Sequence, residues 1–402
     1  MKKLLLSVII ITMMVSCSTN ETGAPAPVSV PAPIPIPVPA PVPAPVPVIV
    51  NQTWNYISLG KNSRIYLKND GTIWGVWGNS CGQLGLGESV MRNGTIKTLT
   101  KIGIDSDWKY VQTDDSATFA IKNDGTLWTW GICNTIVYDT ETKYINKYIP
   151  TKIGTDSNWK SLFYTNSTLL TIKTDGTLWE WLPNGKKVDR GDGYMVDVIS
   201  PKKIEGISNC QSVTFTYTST YVIKTDGSLW AWGKNNYGQL GDGTNIDKSL
   251  PTRIGTDNNW KTIVFTFATP LAIKTDGTLW AWGYNESGQL GDGTSINKNI
   301  PTRIGIDNNW KTIVSGDNYS IGIKTDGTLW SWGNNTYGDL GDGTRINRNI
   351  PTRIGTDLGW QSIWIGVRRT TVLKNDGSLW FWGEGNFFDN YDRPHLMATE
   401  DY

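Results

Sequence analysis

From residue 54 onward, apolar and polar residues alternate in short runs, and no segment shows a sustained helical period. Within one stretch, "WKTIVFT" and "LAIK" are β-prone and "TLWAW" alternates with period two, which predicts three short strands. A fourth run, "PTRIG", opens with a proline, which suits the first residue of a strand or an edge strand. The pattern predicts units of four short strands.

These units repeat. Asp-Gly pairs occur at steps of 54, 51, 51, 50, 50 and 50 residues, beginning at Asp70, Asp124, Asp175, Asp226, Asp276, Asp326 and Asp376. An aromatic anchor precedes most of these pairs by sixteen residues, at Trp54, Trp108, Trp159, Trp260, Trp310 and Trp360, with Cys210 in the fourth copy. Seven copies of a unit near 50 residues predict an all-β fold, a seven-bladed β-propeller.

The tryptophans support this interpretation. In "TLWAW", Trp280 and Trp282 point to one face of a strand and Leu279 and Ala281 to the other, as a blade between two blades requires. Twenty of the 21 tryptophans belong to the repeating pairs or anchors, which indicates packing and not a ligand clamp. In the first copy the pair is three residues apart, at Trp74 and Trp77, which predicts a bulge or a shifted strand end there.

Two expectations concern strand connections. Between "LAIK" and "TLWAW", Asp-Gly is expected to supply the positive φ angles of a tight hairpin. If "PTRIG" pairs with the strand that follows it, the first blade lacks one strand. Residues Pro394 to Met397 would then supply it beside Trp54 to Leu59 and close the ring.

The N-terminal segment has the layout of an export signal. Lys2 and Lys3 precede an apolar stretch too short to span a bilayer. "MVSC" resembles the lipobox of bacterial lipoproteins, with Met14 where Leu is usual, and this implies lipid attachment at Cys17 and an outer-membrane or cell-surface location. We therefore predict a signal peptide over residues 1–17, a linker over 18–50 and a propeller over 51–398. The linker holds eleven of the nineteen prolines and is expected to be an extended spacer.

Composition narrows the chemistry. The formal net charge of +1 argues against a nucleic-acid partner bound by bulk electrostatics. The single histidine, His395, has no visible triad or metal partners, so we predict no enzyme activity, no metal site and no cofactor. Cys81 and Cys133 lie at similar points of adjacent repeats, and a disulfide between them is a hypothesis.

Repeated charges are interpreted as architecture. Asp242, Asp292 and Asp342 in "GDGT" offer oxygens to calcium, but their spacing fits no calcium motif, which favours turn capping. Two sets of basic residues recur at equivalent positions, where they could face an acidic partner, but solvated charges at strand edges that pair with nearby Asp are favoured. They are Lys68, Lys122, Lys173, Lys224, Lys274, Lys324 and Lys374, and Lys101, Lys152, Lys203, Arg253, Arg303 and Arg353.

A glycine-rich loop follows the better Trp pairs, as "GKNNYGQLGDG" (233–243), "GYNESGQLGDG" (283–293), "GNNTYGDLGDG" (333–343) and "GNSCGQLGLG" (78–87). With the period and copy number, this string resembles the regulator of chromosome condensation repeat family from about Trp54 to Met397. The resemblance implies the propeller fold and functions that include GTPase nucleotide exchange, ubiquitin-ligase modules and secreted protein binders. The export signal and the proline-rich extension disfavour nucleotide exchange.

Function is expected where the copies differ. The glycine loop has decayed in three copies, and this places seven aromatic residues on predicted surface loops: Tyr138, Tyr144, Tyr148, Tyr194, Phe387, Phe388 and Tyr391. Aromatic side chains on variable loops over a rigid scaffold are typical of binding surfaces, although drift in loops that merely close a blade remains open. The leading hypothesis is a membrane-anchored module with a protein partner. The alternatives are an inhibitor or regulator of a secreted enzyme and a carbohydrate-binding propeller, with glycan as the partner.

Overall fold

In the computed structural model, the described residues are 54–60, 63–87, 90, 95–113, 117–131, 136–137, 148–165, 168–189, 195–216, 218–266, 268–316, 318–366, 369–384 and 390–396. All of them lie in one compact unit, residues 45–402. They form seven small antiparallel sheets arranged as a seven-bladed β-propeller, which confirms the predicted fold class. No helix among these residues is long and apolar enough to cross a membrane.

Each blade takes four strands that follow one another in the chain. Blade 1 consists of β1 (Trp54–Leu59), β2 (Ser63–Lys68), β3 (Ile73–Gly78) and β4 (Thr95–Lys101). Blade 2 consists of β5 (Trp108–Thr113), β6 (Thr118–Lys122), β7 (Leu127–Trp130) and β9 (Thr151–Ile153). Blade 3 consists of β10 (Trp159–Thr165), β11 (Thr168–Lys173), β12 (Leu178–Asp189) and β13 (Met195–Lys203). A short strand, β8 (Ile136–Val137), pairs in parallel with β13 and so extends the sheet of blade 3.

Blades 4 to 7 are regular. They consist of β14 (Cys210–Phe215), β15 (Ser219–Lys224), β16 (Leu229–Gly233) and β17 (Lys248–Arg253); β18 (Trp260–Thr266), β19 (Thr269–Lys274), β20 (Leu279–Gly283) and β21 (Lys298–Arg303); β22 (Trp310–Gly316), β23 (Tyr319–Lys324), β24 (Leu329–Gly333) and β25 (Arg348–Arg353); β26 (Trp360–Gly366), β27 (Arg369–Lys374), β28 (Leu379–Glu384) and β29 (Asn390–Leu396).

The expected exchange of a strand at ring closure is wrong. The "PTRIG" strand pairs with the strand before it, as Trp280 opposite Arg303 shows. The C-terminal strand β29 pairs with β28 in blade 7, and β1 pairs only with β2 in its sheet. The ring closes instead by packing, because β1 and β26 contact each other.

Side chains at this closure explain the one tryptophan outside the repeat pattern. Trp364 of blade 7 packs against a cluster of blade 1 that contains Ile57, Tyr66 and Val76. It also packs on the blade 7 residues Leu379 and Phe381. A non-repeating aromatic side chain therefore fills the seam between the first and last blades.

The core lies between blades, as the alternation predicted. Leu229 and Ala231 of blade 4 share a buried cluster with Trp260 and Trp282 of blade 5. Leu279 and Ala281 face blade 6 in the same way, where they pack with Trp332. Both faces of such a blade are thus covered by its two neighbours, which explains why a single repeat is not a domain by itself.

The expected hairpin geometry needs a correction. Gly277 has φ +79°, but Asp276 keeps a negative φ. The Gly277 N–H donates to the Lys274 carbonyl (2.9 Å) and the Lys274 N–H to the Thr278 carbonyl (3.1 Å). This is a type I turn closed by a glycine bulge, in which only one residue needs the left-handed region.

At the irregular Trp pair of blade 1, the register between β3 and β4 shifts between Gly75 and Trp77, as expected of a bulge. The strand is not shifted, since Ser63 lies opposite Trp77 as Ser219 lies opposite Gly233. Val76, fully buried, takes the place of the second tryptophan, and Trp77 occupies the glycine position with φ +79°. A bulky residue in that conformation is strained.

Candidate functional site

The two faces of the propeller carry different structures. One face, here called the hairpin face, carries the Asp-Gly turns and the connections into each first strand. The other, the loop face, carries the turns between first and second strands and the loops between third and fourth strands. The glycine-rich loops and the three decayed loops therefore share the loop face.

On the hairpin face, each Asp-Gly turn is held by the same three groups. Asp276 Oδ1 accepts hydrogen bonds from the Thr278 N–H (3.0 Å) and hydroxyl (2.6 Å), and Thr278 Oγ1 accepts from Trp280 Nε1 (2.9 Å). These hydrogen bonds from Thr278 lower the pKa of Asp276. The same arrangement recurs in all seven blades, so the Asp residues of the repeat fix turns and orient the first tryptophan of each pair.

The conserved spacing of Lys before Asp has a packing reason. Lys274 Nζ lies 3.7 Å from the Trp280 ring centroid and 4.6 Å from that of Trp260, and it pairs with Asp257 at 2.8 Å. Pairing with Asp is confirmed for Lys122, Lys173, Lys274, Lys324 and Lys374. The prediction that these lysines are solvated is wrong for Lys122, Lys274 and Lys324, which are buried. A cation between two indole faces is stabilised where water is excluded.

The glycine-rich loops are built around a buried asparagine. Asn235 Oδ1 accepts from the Leu240 N–H (2.9 Å), and Asn235 Nδ2 donates to Asp242 Oδ1 (3.1 Å) and to the Thr244 carbonyl (2.9 Å). Asp242 caps its own turn by accepting from the Thr244 N–H (3.0 Å), as the sequence predicted. These groups satisfy one another, so the loop is a structural unit.

Each intact loop also locks onto the next blade. Trp282 Nε1 donates to the Gln239 carbonyl at 2.8 Å, and the Gly243 N–H donates to the Asn299 carbonyl at 2.8 Å. Among the described residues, this indole bond is found at four of the seven seams, with the donor–acceptor pairs Trp130–Gln83, Trp282–Gln239, Trp332–Gln289 and Trp382–Asp339.

The other three seams follow the decayed loops. In blade 3, Trp181 Nε1 donates within its own blade, to Thr171 Oγ1 at 3.1 Å. In blade 4, Trp232 is half-buried where its counterparts in blades 5 to 7 are fully buried, and in blade 1 Val76 replaces the tryptophan. Within the described part of the chain, the seams at which this indole bond is absent are therefore the three that follow the decayed loops.

The decayed loops of blades 2 and 3 form a different structure. Blade 3 continues its third and fourth strands into a long hairpin, with Asp189 opposite Met195. The segment from blade 2 pairs with it, Ile136 opposite Val198 and Val137 opposite Ile199. At this seam, a shared sheet on the loop face replaces the glycine-rich loop.

Two of the predicted aromatic residues can be placed. The Tyr148 carbonyl accepts the Gly87 N–H at 2.8 Å, so Tyr148 lies just before β9 of blade 2, at the seam with blade 1. Tyr391 packs on Phe381 (5.1 Å) and on His395 (4.3 Å) within blade 7. Both are half-buried, and their role in binding stays a prediction.

The remaining candidates lie outside the described residues, namely Cys17, Tyr138, Tyr144, Tyr194, Phe387 and Phe388. Cys81 is disulfide-bonded and Cys210 is free and buried. Cys133 lies outside the described residues, and its pairing with Cys81 stays a prediction. Within the described part of the chain, no group of three His, Cys, Asp or Glu side chains could hold a metal ion.

The blades, their loops and the seams define a seven-bladed propeller of a specific repeat type. Sequence profiles of the regulator of chromosome condensation (RCC1) repeat match residues 226–265, 276–323 and 326–373, and a second profile of the same repeat matches 211–239 and 310–339. The repeats within residues 211–373 are therefore regulator of chromosome condensation repeats. No curated protein matches the chain at a significant level.

Solved structures agree on the fold. Human WBSCR16 is 18% identical with a TM-score of 0.64, over 82% of this chain and 94% of that one. Prp20p of Saccharomyces cerevisiae, studied for its binding to Gsp1p and histones, is 20% identical with a TM-score of 0.59, over 75% and 76% of the two chains. Yeast RCC1 (Prp20) bound to Kap60 is 19% identical with a TM-score of 0.60, over 86% and 81%.

Proposed function

We propose that this protein is a protein-binding module without enzymatic activity, exported and held at a membrane by a lipid on Cys17. The partner binds on the loop face over blades 2 and 3. The observation that carries this proposal is the shared sheet of β12, β13 and β8, because it replaces a regular loop at the point where the repeat departs from its pattern. Irregular structure on a rigid scaffold is typical of binding sites.

Relatives of the same fold support a protein as the partner. Yeast RCC1 (Prp20) was solved bound to Kap60, and Prp20p was studied for binding to Gsp1p and histones. The charge balance of this chain disfavours nucleic acid. The sequence supports the anchor through its apolar start and the "MVSC" string that ends at Cys17.

The binding site is tested by exchanging loops. Residues 183–199 of blade 3 are replaced by 284–299 of blade 5, since Ser200 and Ile300 hold equivalent positions on their strands. Cross-linked partners are then recovered from membranes. We expect loss of the partner with an unchanged circular dichroism spectrum. The control variant replaces 234–249 of blade 4 with 284–299, one intact loop with another, and retains the partner. Equal recovery from both variants would contradict the proposed site.

The anchor is tested separately. Cys17→Ala should release the protein from the membrane fraction into the soluble fraction, whereas Cys81→Ala should leave its distribution unchanged. Membrane retention of the Cys17→Ala protein would exclude the lipid anchor but would leave the loop-exchange result intact.

A further inference from the structure

Blades 4 to 6 expose aliphatic side chains that no other part of the structure covers. Each is more than half exposed, and together they are called the aliphatic stripe: Ile246, Leu250, Ile296, Ile300, Ile346 and Ile350. The members lie at equivalent positions of three consecutive blades, one in each glycine-rich loop and one near the start of each fourth strand. Contiguous exposed apolar surface on a soluble domain marks an interaction site.

The fold does not require apolar residues at these positions. Leu250 lies three residues before Arg253, which pairs with Trp230. By the same pairing, Thr98 holds this position in blade 1, Ser200 in blade 3 and Arg393 in blade 7, whereas blade 2 has the aliphatic Ile149. Polar residues thus occupy the equivalent strand position in other blades. The fold therefore does not explain why three neighbouring blades have aliphatic residues there.

The stripe is continuous and rigid across the seams. The Gly243 N–H donates to the Asn299 carbonyl (2.8 Å), and Asn299 Nδ2 donates back to the Gly243 carbonyl (2.9 Å). Ile300 Cγ2 lies 3.7 Å from the point where a Cβ on Gly243 would stand, so it packs against the loop that carries Ile246. Asn349, Gly293 and Ile350 repeat this arrangement at the next seam.

The acidic residues along the stripe are each paired with a basic residue, and basic residues are in excess at one end. Asp242 pairs with Lys248 at 3.0 Å, Asp292 with Lys298 at 3.5 Å and Asp342 with Arg348 at 2.8 Å. At the blade 6 end, the side chain of Arg345 is 51% exposed and lies 3.4 Å from Asp392. The exposed Arg393 lies beside it, against Gly343. The stripe thus combines a neutral aliphatic length with a basic end.

We propose that the aliphatic stripe binds an extended aliphatic segment of the protein partner, with an acidic residue at the end of that segment that meets Arg345. Successive blades of a ring are rotated against each other, so a rigid flat surface touches one blade at a time whereas an extended chain follows the curve. This proposal rests on the proposed function, since it assumes a protein partner, and it adds a second contact beyond the loops of blades 2 and 3.

The test uses the photo-cross-linking amino acid p-benzoylphenylalanine, introduced into the full-length chain in its own cells at position 250, 300 or 350. Position 306 is the control, because Ile306 is 90% exposed on the hairpin face. We expect all three stripe positions to cross-link to one segment of one protein, in the order of the blades, and position 306 not to do so.

The other occupants of an aliphatic surface are outcomes that overturn the proposal. These are adducts to lipid, adducts to a second copy of this chain, adducts scattered over several proteins as from position 306, and no adduct. If loop exchange in blade 3 abolishes partner recovery while the stripe gives one of these outcomes, the stripe proposal fails and the proposed function stands.

Two variants then test the chemistry of the contact, with the cross-linker at position 346. The first variant changes Leu250, Ile300 and Ile350 together to Thr, the residue at this position in blade 1. The yield of cross-linked partner should fall about tenfold, as it does on loss of an interface anchor. Ile306→Thr should leave it unchanged. Arg345→Glu should also lower the yield, and an unchanged yield in that variant would refute the acidic end of the segment.

Discussion

The indole nitrogen of Trp282 lies 2.8 Å from the main-chain oxygen of Gln239 in the preceding blade. The hydroxyl of Tyr221 donates to the same oxygen, so this buried carbonyl oxygen accepts two hydrogen bonds, one for each lone pair. One carbonyl of a glycine-rich loop thus joins two blades. We expect this bond, and its three equivalents, to determine how firmly neighbouring blades hold together.

Trp282→Phe tests this relationship. The ring is kept but the donor is lost, which should lower the free energy of unfolding by about 1–3 kcal/mol. Hydrogen exchange should rise at Gln239 to Gly243 of blade 4. In the control, Trp181→Phe removes a bond made inside blade 3, and exchange in blade 4 should not change. Faster exchange only within blade 5 of the Trp282 variant would show that the bond does not join the blades.

Gly241→Ala tests the same seam between blades 4 and 5 through a change in the glycine-rich loop of blade 4. Gly241 has φ +79°, and a Cβ there would stand 2.7 Å from Trp282 Nε1. We expect the left-handed backbone to cost about 1–2 kcal/mol and the steric conflict about 1–3 kcal/mol more. Gly255→Ala is the matched control, since it has φ +63° with open space around it. Chemical denaturation of both variants measures the difference, and equal losses would show that the seam tolerates the methyl group.

The sequence predicted the blade number, the strands within a unit and the faces of Trp280 and Trp282, because these depend on period and alternation. It did not predict which neighbour the outer strand pairs with. "PTRIG" carries the same local preferences beside either strand, and only the three-dimensional register, such as Trp280 opposite Arg303, decides. The burial of Lys274 was missed for a similar reason, since its two indole neighbours come from different strands.

The candidate site was predicted in outline only. Breakdown of the repeat indicated blades 2, 3 and 7, but pairing of β8 with β13 joins segments about 60 residues apart and leaves no periodic signal. The aliphatic stripe was missed because its residues, such as Ile300 beside "PTR", read as ordinary strand positions. Their exposure depends on the fourth strand being the outer edge of each blade.

Acid should destabilise the hairpin face. In each of the seven turns, the Thr or Ser two residues after the Asp donates hydrogen bonds to the carboxylate. These hydrogen bonds lower the pKa of all seven turn aspartates below the ordinary 3.8, as at Asp276 and Asp326. A pKa lowered by folding stabilises the folded state above the unfolded value, and this contribution is lost as pH falls through the folded pKa. The urea midpoint should therefore fall below about pH 3.8. Asp276→Asn should make that fall slightly less steep, and an unchanged pH profile in this variant would contradict the argument.

The thiol of Cys210 should be inert in the folded protein. Burial raises its pKa to about 11, so little thiolate forms at pH 8. Iodoacetamide followed by mass spectrometry should leave Cys210 unmodified in buffer and modify it in guanidinium chloride. Cys81, which is disulfide-bonded, should react only after reduction. Rapid modification of Cys210 in buffer would show that blade 4 opens locally.

Trp364 should hold the ring closed, because no strand is exchanged between the first and last blades. Its side chain contacts clusters of both blade 1 and blade 7. We expect Trp364→Ala to lower the free energy of unfolding by about 3 kcal/mol, the lower end for buried tryptophan, since the side chain is half-buried. Val314→Ala is the control, at the equivalent position of blade 6. Hydrogen exchange should rise in blades 1 and 7 together only in the Trp364 variant, and a rise confined to blade 7 would mean that other contacts close the ring.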